Sequence, residues 1–340
     1  MNNISQISVF DYREIEILGD LERIKLFFEN LDDKELCESL ENEIKNINEK
    51  LIKYMYENLE DFGKDCAIDG KFLDTYANHY SKEKCVDNRA EHDATNSCKT
   101  YYMKDGTTKK EWHYGFRAHI ICDAKYGLPI KYKLTPANNS EQTELDNLLK
   151  ELASNDDERY KFEKMENLMG DAGYDNGRRN KKLKEEYNIN PVFDIKHIWD
   201  KDEKYKEIDD MPIAYNEDGE VFYIVDIDNY EKMKYMGYDK ANNALRYTRQ
   251  STGRKIYRIP LSTDYRIFVP IARDSKKFKN KYKMRTEVER LNGRLDRDYM
   301  FNDHFIRGKE KMELMLDLSF LVMLTMAKGH IINKQGNIRS

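Results

Sequence analysis

Apolar residues recur at three- and four-residue steps in the first part of the chain, which is the pattern of an amphipathic helix. These positions are Leu36, Leu40, Ile44, Ile47, Leu51 and Met55. No glycine interrupts residues 20–62, and Asn30, Asp32 and Asp33 are residues that favour the start of a helix. We therefore predict a helical N-terminal region over residues 1–61.

The pattern changes at Cys66, where short runs rich in β-branched and aromatic residues begin. Runs over 66–72, 112–123 and 128–136 are typical of strands. The tetrapeptide AKYG joins the last two runs and favours a hairpin turn. The stretch 78–110 is polar and rich in lysine and aspartate, so we interpret it as a long irregular loop with little core of its own.

Helical and strand-like patterns then alternate along the chain. The sequence predicts a helix over 140–152, a strand that ends at Gly170 and Asp171, a polar helix over 176–187 and a strand over 189–195. Three strands followed by helix, strand, helix and strand is the order of a ribonuclease H-like fold. That α/β fold has a mixed sheet with helices on both faces. Residues 62–195 are then the first part of a catalytic core.

Two changes in the residue pattern divide the rest of the chain. Residues 196–273 contain tyrosine-rich alternating segments such as EVFYIVDI and RKIYRIP, which predict an inserted β-rich subdomain. The core resumes over 274–340 with a basic helix and an apolar helix at 309–328. The apolar run 318–327 is much shorter than the roughly 20 residues that cross a bilayer, so we expect a buried core helix and no membrane contact.

Charge is distributed unevenly along this acidic chain. The formal net charge is -5, but residues 276–297 contain nine lysines and arginines against three acidic residues. A basic segment of this kind favours phosphate contact, and a solvated charged face is the alternative interpretation. The 12% aromatic content argues against a disordered chain despite 36% charged residues. The composition predicts a globular protein.

Cysteine usage suggests a cellular setting. The five cysteines are an odd number, lack C-x-x-C spacing and follow no secretory signal. A reducing cytoplasm is the simplest setting for such a set.

Three acidic residues have similar surroundings in separate parts of the sequence. Asp69 in CAIDGKF and Asp171 in LMGDAGYDN each end an apolar run beside glycine. Glu289 follows Tyr282 and Arg285 in the segment YKMRTEVERLNGRLDR, and the spacing of these three residues puts them on one face of a predicted helix. The acid, the cation and the hydroxyl together suit a helix that holds a metal and grips phosphate.

Carboxylates that converge from separate elements suit phosphodiester cleavage. Two divalent cations about 3.5–4 Å apart stabilise both the attacking and the leaving oxygen, and Mg²⁺ prefers carboxylate ligands. We predict two Mg²⁺ ions, with Mn²⁺ as a substitute. Asp69 would bridge both ions, while Asp171 and Glu289 would each hold one. Glycine beside aspartate is also a common turn signal, so each acid alone is weak evidence.

Several neighbouring residues compete with these assignments. Asp65 or Asp74 could replace the first acid, Asp175 the second and Glu287 the third, although Glu287 lies off the face that carries Tyr282 and Arg285. Asp123 is a further candidate for a catalytic acid, but its position favours a turn residue. His119 is interpreted as a buried core histidine and not as a catalytic base. Arg285 could clamp phosphate or pair with Glu289, and Tyr282 could bond phosphate or pack. The predicted DNA-binding residues are Lys281, Tyr282, Lys283, Arg285, Arg290, Arg294 and Arg297.

These segments resemble the DDE transposases of bacterial insertion sequences, in the branch where a β-rich insertion separates the second aspartate from the glutamate. The similarity runs from about residue 65 to residue 330. It includes WHYGFRAHIICDAKYGLPI, TPANNSEQTELDNLL and GDAGYDN, and the motif of tyrosine, arginine and glutamate at 282, 285 and 289. In that family six residues follow the glutamate and the next residue is a lysine; this chain has Asp296 at that position. Arg294 or Arg297 could supply the phosphate contact of that lysine. The family also usually has a larger helical region ahead of the core, so the resemblance implies that residues 1–61 could be a truncated DNA-binding part.

The resemblance implies a function that composition and spacing do not show. It implies a magnesium-dependent DNA transposase that acts on the terminal inverted repeats and target of an insertion sequence. Such enzymes cut by water, join strands through the freed 3'-hydroxyl and act as homodimers on double-stranded DNA. Two alternatives remain open: a transposase-derived DNA-binding protein without catalytic activity, suggested by Asp296 and the short N-terminal region, and a ribonuclease H-like nuclease.

Overall fold

The structure is a computed structural model. It describes residues 34–77, 91–103, 107–200, 202–227 and 229–338. The predictions made for residues 1–33, including the helix start signals, lie outside the described residues.

The chain forms two compact units. One takes its residues from 1–60, 74–116 and 295–340, and the other from 61–73 and 117–294. All three candidate acids belong to the second unit. The division predicted from the sequence, with boundaries at 61/62, 195/196 and 273/274, stays a prediction.

In the first unit, two long helices pack against each other. Helix α1 spans Lys34–Asn58, and its predicted apolar face is buried at Ile44, Ile47 and Met55. The last helix of the chain, Lys309–Ile338, is longer than the predicted 309–328. The side-chain amide of Asn48 donates to the Asp317 carbonyl at 2.9 Å across the pair.

The last helix is long and apolar enough to cross a membrane by length and composition, and half of its apolar window is buried inside the protein. Its buried residues Met312, Leu316 and Leu324 give it the face of a core helix.

A mixed sheet contains the first six strands. Its order is β2-β3-β1-β5-β6, and β4 also pairs with β3. The strands span β1 Asp65–Asp74, β2 Thr95–Tyr102, β3 Thr108–Asp123, β4 Pro129–Pro136, β5 Asn167–Gly170 and β6 Asn190–Phe193. β5 runs parallel to both β1 and β6. The predicted mixed α/β sheet is thereby confirmed.

One part of the predicted loop is a strand. β2 lies within the stretch 78–110 and pairs antiparallel with the first half of β3, from Thr95↔Gly115 to Tyr102↔Thr108. The sequence prediction was wrong here because β2, TNSCKTYY, is a polar edge strand without apolar alternation. Residues 78–90 and 104–106 of the same stretch lie outside the described residues.

Three α-helices lie between β4 and β6 along the chain; the sequence predicts the first and the third, but not the short middle one. They are α2 Glu141–Ser154, α3 Arg159–Lys164 and α4 Gly177–Glu185. The predicted AKYG hairpin joins β3 to β4, and Gly127 adopts φ +63°, a conformation that glycine tolerates. The Asp123 carboxylate accepts the amides of Lys125 and Tyr126 within this turn.

The insertion is a second, antiparallel sheet. Its six strands have the order β12-β11-β10-β9-β8-β7. They span β7 Lys206–Glu207, β8 Ile213–Tyr215, β9 Val221–Asp226, β10 Asn229–Asp239, β11 Ala244–Arg249 and β12 Ile256–Pro260. Tyr247, Ile259 and Phe268 are in its buried core. Tyrosine in this region therefore serves largely for packing.

The basic segment forms two helices, not the single helix that the sequence predicts. Helix α5 spans Lys276–Lys283 and α6 spans Thr286–Asp298; the last helix, Lys309–Ile338, is α7. Between α5 and α6 the amides of Met284 and Arg285 bond back only three residues, which tightens the chain into a turn. Tyr282 and Glu289 consequently lie on different helices.

Candidate active site

Asp69 lies on β1, and Asp171 directly follows the neighbouring parallel strand β5. The register of β1 and β5 pairs Asp65 with Asn167 and Ala67 with Met169. The same register continued by two residues brings Asp171 opposite Asp69. Because side chains alternate between the faces of a sheet, the two carboxylates then project to the same face. The strand register therefore favours the proximity of the first two acids that the sequence singled out.

A short turn fixes the backbone around Asp171. Asp171 directly follows β5, and its Oδ1 accepts the Gly173 amide at 2.8 Å at the start of a one-turn 3₁₀ helix over Ala172–Tyr174. In the first turn of α2, the Gln142 side chain donates to the Gly173 carbonyl at 2.6 Å. The turn that carries the second acid is held by side chain and backbone together.

Helix α6 is attached to the first acid by Asn292. The Asn292 amide nitrogen donates to Asp69 Oδ2 at 2.9 Å. Glu289 lies one turn earlier in the same helix, and residues three apart on a helix are neighbours on one face. The structure therefore places Glu289 on the side of α6 that meets Asp69. Sequence reasoning missed Asn292, whose signal was its three-residue spacing from Glu289.

Glu289 itself is paired with Arg285. The Arg285 guanidinium lies 2.6 Å from Glu289 Oε1, and the Glu289 side chain is 49% exposed. Burial acts to lower the pKa of Arg285, but Tyr282, Glu289 and Asp69 together raise it. Arg285 thus serves as the partner of Glu289 in this structure. Among the described residues, no three acidic, histidine or cysteine side chains are grouped closely enough to hold a metal ion.

Tyr282 has different neighbours from those predicted. Its hydroxyl donates to Asp194 Oδ2 at 3.3 Å, and its ring stacks on Phe278 with centroids 6.3 Å apart. The Arg285 guanidinium lies 5.6 Å from the centroid of the Tyr282 ring. Tyr282 and Arg285 remain adjacent, although the turn at Met284 removes the common helical face.

The competing candidates for the first acid have structural partners. Asp65 accepts from the Asn167 amide at 2.7 Å and pairs with Lys281. Asp74 pairs with His113 at 3.2 Å. Asp123 is fully buried and anchors backbone amides, including that of Gly63 at 2.7 Å. Burial raises the pKa of Asp123 against those hydrogen bonds. Asp123 is a turn residue, as its sequence favoured.

Asp175 and Glu287 also have local roles. The Asp175 side chain is fully buried and bonds Arg273 at 2.8 Å and Arg266 at 3.1 Å. It ties the insertion to the turn after Asp171. Glu287 pairs with Arg290, three residues further along α6. Neither arrangement directs the carboxylate towards Asp69.

The predicted DNA-binding cations divide into two groups. Lys283, Arg290 and Arg297 are exposed, Arg290 at 70% and Arg297 at 73% of the side chain. Lys281 and Arg294 are half-buried in intramolecular contacts, with Asp65 and with the Gly127 carbonyl respectively. The side chains of the exposed group are accessible to a phosphate backbone.

Arg294 and Arg297, which lie near Asp296, also differ in their exposure. Asp296 occupies the lysine position of the family motif and is half-buried. Arg294 is engaged with Gly127, whereas Arg297 is exposed and pairs with the adjacent Asp298 at 2.6 Å. Arg297 is therefore the more accessible substitute for a phosphate contact.

Comparison with known families agrees with this arrangement. Residues 62–325 match the family model described as Transposase DDE domain. The match covers well over half of the chain, and the chain belongs to that family. It includes both strands that carry the aspartates, the inserted sheet and helix α6. A search among curated proteins found no match to this chain. The resemblance inferred from the sequence is confirmed at the level of the family.

Proposed function

We propose that this protein is a DNA transposase that cleaves and joins strands at the ends of an insertion sequence. Its catalytic acids would be Asp69, Asp171 and Glu289. The observation that carries the proposal is the parallel pairing of β1, which contains Asp69, with β5, which ends directly before Asp171, together with the hydrogen bond from Asn292 on the glutamate helix to Asp69. Membership of the Transposase DDE domain family supports the reaction class.

The residues around the two aspartates suit a divalent cation of the magnesium type. The available donors are oxygens, which Mg²⁺ and Mn²⁺ prefer over nitrogen and sulfur. The buried Tyr174 hydroxyl has no hydrogen-bond partner among the described atoms and interacts electrostatically with both aspartates. Asp69, Asp171 and Glu289 would hold two Mg²⁺ ions, with Mn²⁺ as a substitute. When bound, such ions stabilise the charge that develops on the phosphoryl oxygens.

The chain's own residues supply positioning and attraction. Without DNA, Arg285 pairs with Glu289. When DNA is bound, the Arg285 guanidinium would bind phosphate in a bidentate manner. The exposed Lys283, Arg290 and Arg297 would contact the backbone of double-stranded DNA, at the terminal inverted repeats and at the target. We further propose that a homodimer forms on paired DNA ends and that the protein acts in the cytoplasm.

A cleavage assay tests this function. Full-length protein is incubated with Mg²⁺ and duplex DNA that carries the sequences flanking its gene, and nicked and joined products are counted. Asp171→Asn and Glu289→Gln should lower cleavage at least about a hundredfold, because each removes cation-based stabilisation of several kcal/mol. Glu287→Gln is the matched control, since it changes the same helix two residues away and should cleave normally.

The outcomes separate the site from the reaction. Cleavage by Asp171→Asn at the wild-type rate would contradict the assigned acids. Wild-type cleavage without strand joining, on RNA or branched DNA as well, would instead favour a ribonuclease H-like nuclease.

Asp296 favours a second candidate, a transposase-derived protein that binds DNA without cutting it. Its carboxylate stands where the family motif has a phosphate-binding lysine. Such a protein would show salt-sensitive DNA binding and no nicking with Mg²⁺ or Mn²⁺. Restoring activity with Asp296→Lys would identify this residue as the cause.

A further inference from the structure

Strand β2 and the first residues of β3 form a two-stranded ribbon that is exposed on both faces. Residues 108–112 of β3 are all exposed, whereas residues 118–123 of the same strand are all buried. Residues 99–101 of β2 are exposed as well. Successive side chains of a strand point to opposite faces, so a run of consecutive exposed residues leaves both faces in contact with solvent. We call residues 98–101 and 108–112 the ribbon.

The backbone of the ribbon is a regular antiparallel pair. Its register runs from Cys98↔Trp112 to Tyr101↔Lys109. A two-stranded antiparallel pair is only marginally stable in water by itself. An exposed ribbon of this kind therefore suits a surface that gains packing from a partner.

The charge of the ribbon is positive in an acidic chain. It contains the three lysines Lys99, Lys109 and Lys110 and the single acid Glu111, whereas the whole chain has a formal net charge of -5. Glu111 is the cross-strand neighbour of Lys99, which also lies over the Tyr101 ring at 5.3 Å from its centroid. All three lysines are exposed. The excess of lysine makes the ribbon complementary to a polyanion.

The two faces of the ribbon carry different side chains. The register and the alternation of side chains place Thr100, Lys110 and Trp112 on one face, and Tyr101 and Lys109 on the other. Trp112 is 68% exposed. Its face therefore offers a hydroxyl, an ammonium group and an indole N–H to a partner, and such donors match the acceptor atoms on the base edges of DNA.

The dimensions of the ribbon also match duplex DNA. The major groove of B-DNA is about 12 Å wide and admits a two-stranded ribbon, whose strands lie about 4.8 Å apart. We propose that the ribbon docks in the major groove of duplex DNA, with the face of Lys110 and Trp112 towards the base edges and Lys109 on the phosphate backbone. This inference rests on the proposed function, because it adds a second contact with the same DNA to that of helices α5 and α6.

A second copy of this chain is the other candidate partner. β2 is an edge strand of the mixed sheet, and an edge strand can pair with a strand of another molecule. The excess of lysine opposes this pairing, because two ribbons of the same charge repel each other. The charge of the ribbon therefore favours DNA.

DNA binding in the absence of cleavage tests the proposal. Fluorescence anisotropy measures the affinity of the full chain for a labelled duplex that carries the sequences flanking its gene, in EDTA and at several salt concentrations. The double variant Lys109→Gln/Lys110→Gln should bind about tenfold or more weakly. The slope of log affinity against log salt should become shallower by about two, since two phosphate-neutralising cations are lost.

Two controls separate the ribbon from a general effect of charge. Lys53→Gln/Lys311→Gln makes the same change of charge at exposed residues of α1 and α7, and its affinity should stay within about twofold of wild type. Glu111→Gln changes the ribbon in the opposite sense, so it should bind DNA at least as tightly as wild type. Urea unfolding of each variant checks that it folds.

Trp112 gives a second measurement with all lysines in place. The chain has two tryptophans, so Trp199→Phe leaves Trp112 as the only one. Saturation with duplex DNA should change the intensity of Trp112 emission, because the exposed indole enters the groove. This measurement tests the contact even if the double lysine variant fails to fold.

The outcomes distinguish this inference from the proposed function. Wild-type affinity and salt slope in Lys109→Gln/Lys110→Gln, an equal loss in the Lys53→Gln/Lys311→Gln control, or unchanged Trp112 emission with DNA would each overturn the ribbon contact and leave the cleavage assignment standing. A change in the sedimentation of the free protein in the ribbon variant, with DNA affinity retained, would assign the ribbon to pairing between copies. No DNA binding by the wild type would overturn both proposals.

Discussion

The Asn292 amide donates a hydrogen bond to the Asp69 carboxylate at 2.9 Å, although the two residues are 223 positions apart in the sequence. The inserted sheet separates them along the chain. This contact fixes one face of α6 against β1 and places Glu289, one turn before Asn292, on the side of the first aspartate. The contact therefore joins helix α6 to β1 although the inserted sheet lies between them in the sequence.

Asn292→Leu tests this positioning role. The substitution keeps the volume of the side chain but removes the donor to Asp69, so Glu289 should be held less accurately and cleavage should fall about tenfold or more. Binding to duplex DNA should stay within about twofold of wild type. Equal losses of binding and cleavage would show that Asn292 contributes to the fold or to DNA contact instead. Gel-shift titration and single-turnover cleavage measure the two quantities.

Asp175→Ala should destabilise the protein strongly. The substitution leaves Arg273, whose side chain is 5% exposed, without its buried carboxylate. Burial already lowers the pKa of Arg273 against the attraction of Asp175. Breaking such a buried pair costs about 3–5 kcal/mol. Urea unfolding measures the loss, and the exposed Asp156→Ala should change the free energy of unfolding by less than about 0.5 kcal/mol. A similar small effect at both positions would contradict a structural role for Asp175.

Tyr174→Phe should have opposite effects without and with cation. Without cation it removes an unsatisfied buried hydroxyl, so the free energy of unfolding should rise by about 1 kcal/mol. With Mn²⁺ the variant should gain less stability than the wild type, because the missing hydroxyl interacts with both aspartates that would hold the ion. Tyr238→Phe is the control, since its hydroxyl bonds Asn243 at 2.6 Å and its loss should destabilise. Lower stability of Tyr174→Phe without cation would contradict the account of that hydroxyl.

His119 should make the protein acid-sensitive. It is fully buried, its Nε2 lies 3.0 Å from Thr135 Oγ1, and burial lowers its pKa from 6.5 to about 4. The unfolded chain therefore binds a proton between pH 6.5 and 4 that the folded chain does not. Stability from this residue is present above pH 6.5 and is lost as the pH falls to about 4, by roughly 3 kcal/mol.

The pH dependence is measured by urea unfolding at several pH values. His119→Gln should flatten the decline between pH 6.5 and 4, whereas the exposed His197→Gln should leave it unchanged. The same slope in His119→Gln and wild type would show that His119 is not the group responsible.

Much of the fold follows from local patterns. Alternation and apolar runs predict most strands of the mixed sheet along the chain. The changes of composition near residues 196 and 273 indicate the inserted sheet. These features depend on neighbouring residues, which a sequence displays directly. The turn between α5 and α6 was missed because Tyr282, Arg285 and Glu289 have the spacing of one helical face. The backbone amides of Met284 and Arg285 donate to carbonyls three residues earlier, which interrupts that face. No proline or glycine marks the interruption in the sequence.

The candidate site was only partly accessible from the sequence. Asp69 and Asp171 share a setting that a sequence can show, but Asn292 contacts Asp69 through packing between distant segments. Gly70 beside Asp69 has the form of a turn signal, whereas the structure shows it inside strand β1, where a Cβ atom would meet the Glu141 carboxylate. A small residue that leaves space for a distant side chain and one that forms a turn look the same in a single sequence.

The most direct test of the central claim is the position of Mn²⁺ in crystals of the protein with duplex DNA, located by its anomalous scattering. The account predicts an anomalous peak bonded to oxygens of both Asp69 and Asp171, about 2.0–2.2 Å from each, with Glu289 turned away from Arg285 towards the same site. A peak bound elsewhere, or carboxylates of Asp69 and Asp171 that share no ion, would contradict it.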